Sequence, residues 1–306
     1  MAPATTKILP FNDPAIAEAA RLILAGEIVA MPTETVYGLA ADATSADAVA
    51  KIYAAKGRPN FNPLIVHVAD LAEAEALAEF SDEARALALA HWPGPLTLVM
   101  PLRGGTAIAA LVTAGLGTIG LRIPAHPAMQ ALLRACGRPL AAPSANASGS
   151  ISPTRADHVQ RSLGGRIPLI IDGGPSERGL ESTIVAATGG RLRLLRPGPL
   201  NIPAQLASGG MIEAPGMLAS HYAPAKPLRL GATTAQADEY LIGFGAVAGD
   251  SSLSASGDLN EAAARLFDLL HRADLSTQAR IAVAPVPTDG LGEAINDRLR
   301  RAAAAR

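Results

Sequence analysis

Cysteine is almost missing from this chain. Cys136 is the only one in 306 residues, which excludes an intramolecular disulfide and a cysteine-based zinc site and leaves Cys136 itself to be read as a small buried apolar residue. Aromatic residues make up 3% and the formal net charge is -1. The first leaves little material for stacking bases, and the second gives no global pull on a phosphate backbone, so strong direct binding to nucleic acid is disfavoured. No His or carboxylate cluster has metal-ligand spacing, so no dedicated protein metal site is expected. Met1 to Lys7 is not a basic segment followed by an apolar core, and the most apolar later stretch, Ala107 to Ile123, is broken by Thr, Gly and Arg122. No membrane segment is therefore expected, and the chain reads as cytoplasmic. Phosphate-loop chemistry finds no support either: G-x-x-x-x-G-K-[ST] does not occur, and Gly243-Phe244-Gly245-Ala246-Val247-Ala248-Gly249 has three residues rather than two before its last glycine. Ser144 sits in Ala-Pro-Ser-Ala-Asn, not in a nucleophile elbow.

What is present is ample apolar material. A hydrophobic content of 49% over this length suffices for about two buried cores. Helical spacing of apolar residues marks Ala15 to Leu24 and Ala72 to Ala90, while short β-prone runs occur at Ile28 to Met31, Leu64 to Val68, Leu96 to Met100, Thr118 to Ile123 and Leu169 to Ile171. This alternation predicts an α/β fold. Gly and Pro punctuate the joints, as in Trp92-Pro93-Gly94-Pro95 and Asp172-Gly173-Gly174-Pro175. Between Pro203 and Pro227 the chain turns rich in Pro, Gly, Ala and Ser with no sustained period, which predicts a linker or a lid. Strand-like and helical patterns resume at Leu228, Tyr240, Leu259 to Leu270 and Ile281. The Ala-rich end from Ala302 is expected to fray.

Four polar segments interrupt the apolar pattern: Pro32-Thr33-Glu34-Thr35-Val36-Tyr37-Gly38, Lys56-Gly57-Arg58-Pro59 running on to Asn62-Pro63, Pro143-Ser144-Ala145-Asn146, and Glu181-Ser182-Thr183. The first follows a β-prone run and the second precedes one, which places their side chains at strand ends, where an α/β sheet holds a ligand. A strand over Thr118-Ile119-Gly120-Leu121-Arg122-Ile123 would set Thr118, Gly120 and Arg122 on one face. That face offers a hydroxyl, a gap and a guanidinium suited to a carboxylate or phosphate. Lys56 and Arg58, two apart, point to one side if the chain is extended, and with Arg196 they form a cation cluster that fits a triphosphate. Ser144, Asn146, Ser148 and Ser152 can line a phosphate with hydroxyls and backbone N–H groups.

In this order the four segments resemble the YrdC-like domain of threonylcarbamoyl-AMP synthases, over roughly Ala15 to Pro199. Ser220-His221-Tyr222-Ala223-Pro224 resembles the linker motif of the long, two-domain form, where the segment folds back over the nucleotide site. The resemblance implies a twisted mixed sheet flanked by helices at 12–200, a linker or lid at 201–227, and a smaller α/β, Rossmann-like domain at 228–306. It also implies the reaction: L-threonine, bicarbonate or CO2, and ATP give L-threonylcarbamoyl-AMP and pyrophosphate. The product supplies threonylcarbamoyl for adenosine 37 of ANN-decoding tRNAs through a downstream transferase machinery.

Carried over by position, the L-threonine side comprises Thr35, His67, Arg122, Ala142 and Ser182, with Arg122 on the carboxylate. The ATP side comprises Lys56, Arg58, Asn62, Thr118, Ser144, Asn146, Ser152, Arg196 and Tyr222, with Lys56 and Arg58 as the catalytic cations. Mg2+ is expected only as the companion of ATP. One departure from the family pattern is Ala40-Ala41, which suggests slightly less backbone room after Gly38. The alternative reading is a non-catalytic RNA-binding or regulatory YrdC-like module, against which the lack of a basic balance counts.

Overall fold

A computed structural model describes residues 5–207, 213–215 and 221–304. The chain runs β1 (Lys7–Pro10), α1 (Asp13–Leu24), β2 (Val29–Met31), β3 (Gly38–Asp42), α2 (Ala46–Lys56), β4 (Ile65–His67), α3 (Leu71–Leu77) and α4 (Asp82–His91). It continues through β5 (Leu96–Pro101), α5 (Ala110–Thr113), β6 (Thr118–Arg122), α6 (Pro127–Cys136), β7 (Leu140–Ala141), α7 (Ala156–Leu163), β8 (Leu169–Asp172), β9 (Thr183–Thr188), β10 (Arg191–Arg196) and β11 (Gln205–Leu206). The last part is β12 (Leu228–Leu230), β13 (Glu239–Gly243), β14 (Ser251–Ser252), α8 (Leu259–Asp274), β15 (Arg280–Val283) and α9 (Leu291–Ala303).

Two sheets organise these elements. The first eleven strands form one mixed sheet in the order β1-β8-β2-β3-β7-β4-β6-β5-β9-β10-β11, and the last four form a separate sheet, β12-β15-β13-β14, in which every pairing is parallel. The α/β expectation therefore holds in both parts. The start expected at residue 12 leaves out β1, which pairs in parallel with β8 as an edge of the large sheet. Within the stretch 203–227, β11 adds a parallel edge to β10, so the segment begins as part of the sheet. Helix α9 carries the Ala-rich end as far as Ala303.

Most predicted elements appear within a residue or two, and one differs in kind. Ala72 to Ala90, periodic throughout, splits into α3 and α4 at Ala78, whose backbone is extended (φ −133°, ψ 159°). The cause is tertiary: the Glu79 N–H donates to Pro101 O at 2.9 Å, and Arg103 Nε donates to the Glu75 and Ala78 carbonyls, so the end of β5 captures the chain. Ser81 then caps α4 by accepting from the Ala84 N–H.

Three apolar clusters set the layers. Ala41, Val66, Leu98 and Leu121 face one side of the large sheet with α2, while Ala40, Met31 and Ile171 face the other with α1 and α6. Ala40 and Ala41 thus fill opposite core faces of β3, and neither lines the ligand cavity. The core of the small sheet, built on α8, α9, β13 and β15, also takes in Val36, Ile151, Leu180 and Tyr222 from the large-sheet part and the connecting segment.

Candidate active site

A cavity of about 480 Å³, counting its mouth, opens where β4, β6 and the loops after β2, β7 and β8 converge. Its wall brings together Thr35, His67, Arg122, Ala142, Ser144, Ser182, Arg58, Arg196 and Tyr222, nine of the residues singled out from sequence. Lys56, Asn62, Thr118, Asn146 and Ser152 are not on that wall. Thr118 lines a smaller neighbouring cavity together with Gly120, and the two spaces share Ile65 and Pro215 as a partition. A Cβ at Gly120 would meet Thr97, Ile65 and Val99 at ordinary contact distances of 3.6–3.8 Å, so its missing side chain opens no passage.

The part of the wall expected to take the amino acid is built by an internally bonded turn. The Thr33 hydroxyl donates to Val36 O at 2.6 Å and accepts from the Val36 N–H, which fixes Thr35 at the start of the cavity. Arg122, at the end of β6, donates to Thr35 Oγ1 at 2.9 Å and to Gly94 O at 3.2 Å, and pairs with the buried carboxylate of Glu34. Burial works against the Glu34 charge, but Arg122 outweighs it and the carboxyl is held below its usual range. Arg122 is therefore locked in orientation before a substrate arrives. Burial, and then the Arg122 charge, push the His67 pKa well below 6.5, so the imidazole is neutral at pH 7. Ser182 Oγ lies 2.7 Å from Thr97 Oγ1, a buried partner one strand away. Tyr37, the aromatic of the first segment, is a strut: its hydroxyl donates to Gly174 O at 2.7 Å, and neither residue is on the cavity wall.

The cation cluster differs from expectation in one member. Lys56 is the last residue of α2, and Gly57 follows in the left-handed region (φ 61°) as its C-cap, so the chain is not extended and Lys56 and Arg58 diverge. Lys56 Nζ donates to the carbonyls of Ser144 and Asn146 and, at 3.3 Å, to Asn146 Oδ1. Burial and the neighbouring Arg58 push its pKa well down, yet three converging acceptors match the three hydrogens of an ammonium. Lys56 thus shapes the Ser144 loop from behind. Asn146 completes that frame by donating to Ser150 O at 2.8 Å, and the Asn62 carbonyl accepts from Arg58 and Tyr53.

Arg58 stays on the wall. Its Nε and Nη2 donate to the Asn62 and Pro63 carbonyls (3.2 and 2.9 Å), and burial lowers its pKa to about 10. Arg196, from the end of β10, donates to Ser182 O from both Nε and Nη2 and to Pro215 O from Nη1. Gly198 allows this approach, because a Cβ there would meet Thr183 N at 2.4 Å.

Six wall residues were not assigned a role from sequence: Val36, Ile65, Pro143, Glu181, Pro215 and His221. His221 packs edge-on against Tyr222 (ring centroids 4.0 Å apart), and burial lowers its pKa to about 3. Pro215 closes the side near Arg196, its segment tied down by the Arg193–Glu213 ion pair at 2.7 Å. Glu181 is the one acid on the wall among the described residues, and both of its oxygens are engaged, by Ser152 and by Arg298. Ser220 lies outside the described residues; Tyr222, two positions on, adopts φ +63°, held by the Ala223 N–H donating to Gly149 O at 2.8 Å.

Residues 21–198 match a family model described as telomere recombination, and residues 192–304 match one described as the C-terminal domain of threonylcarbamoyl-AMP synthase. The threonylcarbamoyl-AMP synthase of Bacillus subtilis is 41% identical, with 98% of this chain and 96% of that one aligned. That of Pyrococcus abyssi is 39% identical over 93% of this chain and 92% of its own. A crystal structure of P. abyssi Sua5 complexed with L-threonine superposes with a TM-score of 0.90 at 37% identity, covering 97% of this chain and 98% of that one. With both family models in register and near-complete coverage of its relatives, the chain belongs to the threonylcarbamoyl-AMP synthases, a family of nucleotidyltransferases, in their two-domain form.

Proposed function

We propose that this chain condenses L-threonine, bicarbonate or CO2, and ATP into L-threonylcarbamoyl-AMP and pyrophosphate, for transfer to adenosine 37 of tRNA by a separate machinery. The observation that carries this reading is one cavity in which a pre-locked Arg122–Thr35 pair and the Ser182 hydroxyl lie close to two buried guanidiniums, Arg58 and Arg196. Arg122 receives the threonine carboxylate and the hydroxyls of Thr35 and Ser182 receive its polar groups. The threonine amine adds to CO2 and gives up its proton to water as it becomes a carbamate, and the uncharged His67 faces it as a polar neighbour that adds no positive charge. The carbamate oxygen then attacks the α-phosphorus in line while Arg58 and Arg196 stabilise charge on the phosphate oxygens. Lys56, Asn146 and Ser152 act by holding the loops that carry Ser144 and Glu181. The same reading takes 12–200 as the catalytic part, now joined by β1, 201–227 as linker and lid, and 228–306 as the C-terminal domain.

Magnesium enters here as part of the Mg-ATP substrate. The wall does not fit a resident ion: its one described acid, Glu181, has both oxygens committed, and no group of three or more His, Cys, Asp or Glu side chains converges among the described residues. No helix among the described residues is long and apolar enough to cross a membrane.

Pyrophosphate release from ATP should require both L-threonine and bicarbonate. Release that continues when threonine is omitted would sink the assignment. Heavy oxygen from labelled bicarbonate should bridge carbon and phosphorus in the product; its absence there rules out attack by the carbamate. L-2-aminobutyrate, which lacks the hydroxyl, should be used about 10- to 100-fold less efficiently, because it leaves buried polar partners unpaired. Equal kcat/KM for the two amino acids would remove Thr35 and Ser182 from hydroxyl recognition.

A further inference from the structure

The small-sheet domain contributes a fully buried cation to the back of the cavity. Arg298, on α9, is 0% exposed; its Nε donates to Glu181 Oε2 at 2.8 Å, its Nη1 donates to Asp297 Oδ2 at 2.8 Å, and its guanidinium carbon lies 5.3 Å from the Tyr222 ring centre. Glu181 and Tyr222 are both wall residues, and Glu181 is followed by Ser182, whose carbonyl holds Arg196. The apolar surroundings have the same origin. Val36, Ile151, Leu180 and Tyr222 belong to the core of the small-sheet domain, and each of the first three is next in sequence to a polar site residue: Thr35, Ser152 and Glu181. Contact there is backbone-close, since a Cβ at Gly179 would meet Ala263 O of α8 at 2.4 Å.

We infer that Arg298 is a positioning residue for nucleotide binding: it holds the Glu181 carboxylate away from Arg196 and seats Tyr222 against the cavity, so that Arg196 keeps its charge for phosphate. This rests on the ATP side of the function proposed above. Charge arithmetic in the buried cluster supports it. Glu181 carries one negative charge between Arg298 and Arg196; burial opposes that charge, but the two guanidiniums, with Arg298 the stronger influence, keep the carboxyl below its usual range. Without Arg298, the buried carboxylate has Arg196 as its nearest compensation, and pairing there neutralises a phosphate cation.

A cycle of variants separates this role from general stability. Substitution R298M should raise the KM for ATP about tenfold or more while changing the KM for L-threonine about twofold or less, and in an E181Q background the same substitution should change the ATP KM less than about threefold. The glutamine retains a partner for Ser152 but has no charge to turn on Arg196. An equal rise in both backgrounds, a matching rise in both KMs, or no rise in folded R298M overturns the inference. Should R298M not fold, R298K, which keeps the charge and loses the fork, is expected to raise the ATP KM about threefold alone; parallel rises in both KMs, or none, overturn the inference. Calorimetric ATP binding without threonine reads the same cycle, so the result does not depend on the turnover assay, and threonine-independent turnover by the unsubstituted enzyme would count against the function alone.

Discussion

Arg58→Ala should lower kcat about 10²- to 10³-fold in a protein that still folds, the range typical of removing one preorganised donor from a developing oxyanion. Arg58 is on the cavity wall and buried, and its guanidinium is fixed by carbonyls of its own loop, Asn62 and Pro63. It therefore meets the substrate without reorganising, and it does so from surroundings where its charge is little screened. The fold does not depend on it in the same way: among the described residues no carboxylate forms an ion pair with it, in contrast to Arg122 with Glu34. Arg58→Lys should recover only part of the loss, since a single ammonium cannot both satisfy the two carbonyls and reach the phosphate as a fork does. Pyrophosphate release measured beside the thermal midpoint checks this. A folded alanine variant with near-normal kcat would remove Arg58 from the reaction.

Lys56 illustrates where sequence reading stops. The spacing of two from Arg58 suggested a shared direction, which is correct for extended chain, but Gly57 ends α2 in the left-handed region and turns the two side chains apart. A Gly after a Lys at the end of a helical pattern is the signal in the sequence for that turn. The Thr118–Gly120–Arg122 face shows a similar limit. Period two correctly put the three on one side of β6, yet a single strand face can look into two cavities when Ile65 and Pro215 stand between them.

Strand ends and their polar turns were legible because each is a local event: apolar runs of three to six residues, then Thr, Ser, Asn or Gly. The strand order was not, because the eleven-stranded sheet interleaves β8 between β1 and β2, and β7 between β3 and β4, through contacts more than 70 residues apart. Arg298 was invisible for the same reason. In its own helix it reads as one more arginine beside Arg300 and Arg301, and only the 117-residue contact with Glu181 makes it part of the site. The split of Ala72–Ala90 also lay outside local propensity, since nothing in that stretch announces that Pro101 will take the Glu79 N–H.

Acid should unfold the ligand-free protein cooperatively between about pH 5 and 4, with stability already falling from about pH 6.5, above the range in which carboxylates titrate. Three histidines are held uncharged, His67 and His221 buried and His271 half-buried. His67 sits beside Arg122, His221 beside Lys56, Arg58 and Arg196, and His271 is stacked on His158 at 3.9 Å with its Nε2 3.2 Å from Ser152 O. Burial is the leading cause of each depression, and His221 and His271 are taken down to about 3. In the unfolded chain each binds a proton near pH 6.5, so between about pH 6.5 and 3 the unfolded state holds up to three protons that the folded state refuses. Stability is then fully present above roughly pH 7.5 and falls with acid at up to about 4 kcal/mol per pH unit, enough to remove a typical 5–15 kcal/mol within a few units. Denaturant midpoints measured from pH 8 to 4 give the slope directly. His271→Gln retains an N–H for the Ser152 carbonyl at the position of the imidazole Nε2 and removes one titrating group, so its slope should be shallower by about 1.4 kcal/mol per pH unit. A wild-type stability that stays flat from pH 7 to 5 would mean that these imidazoles accept protons in the folded state.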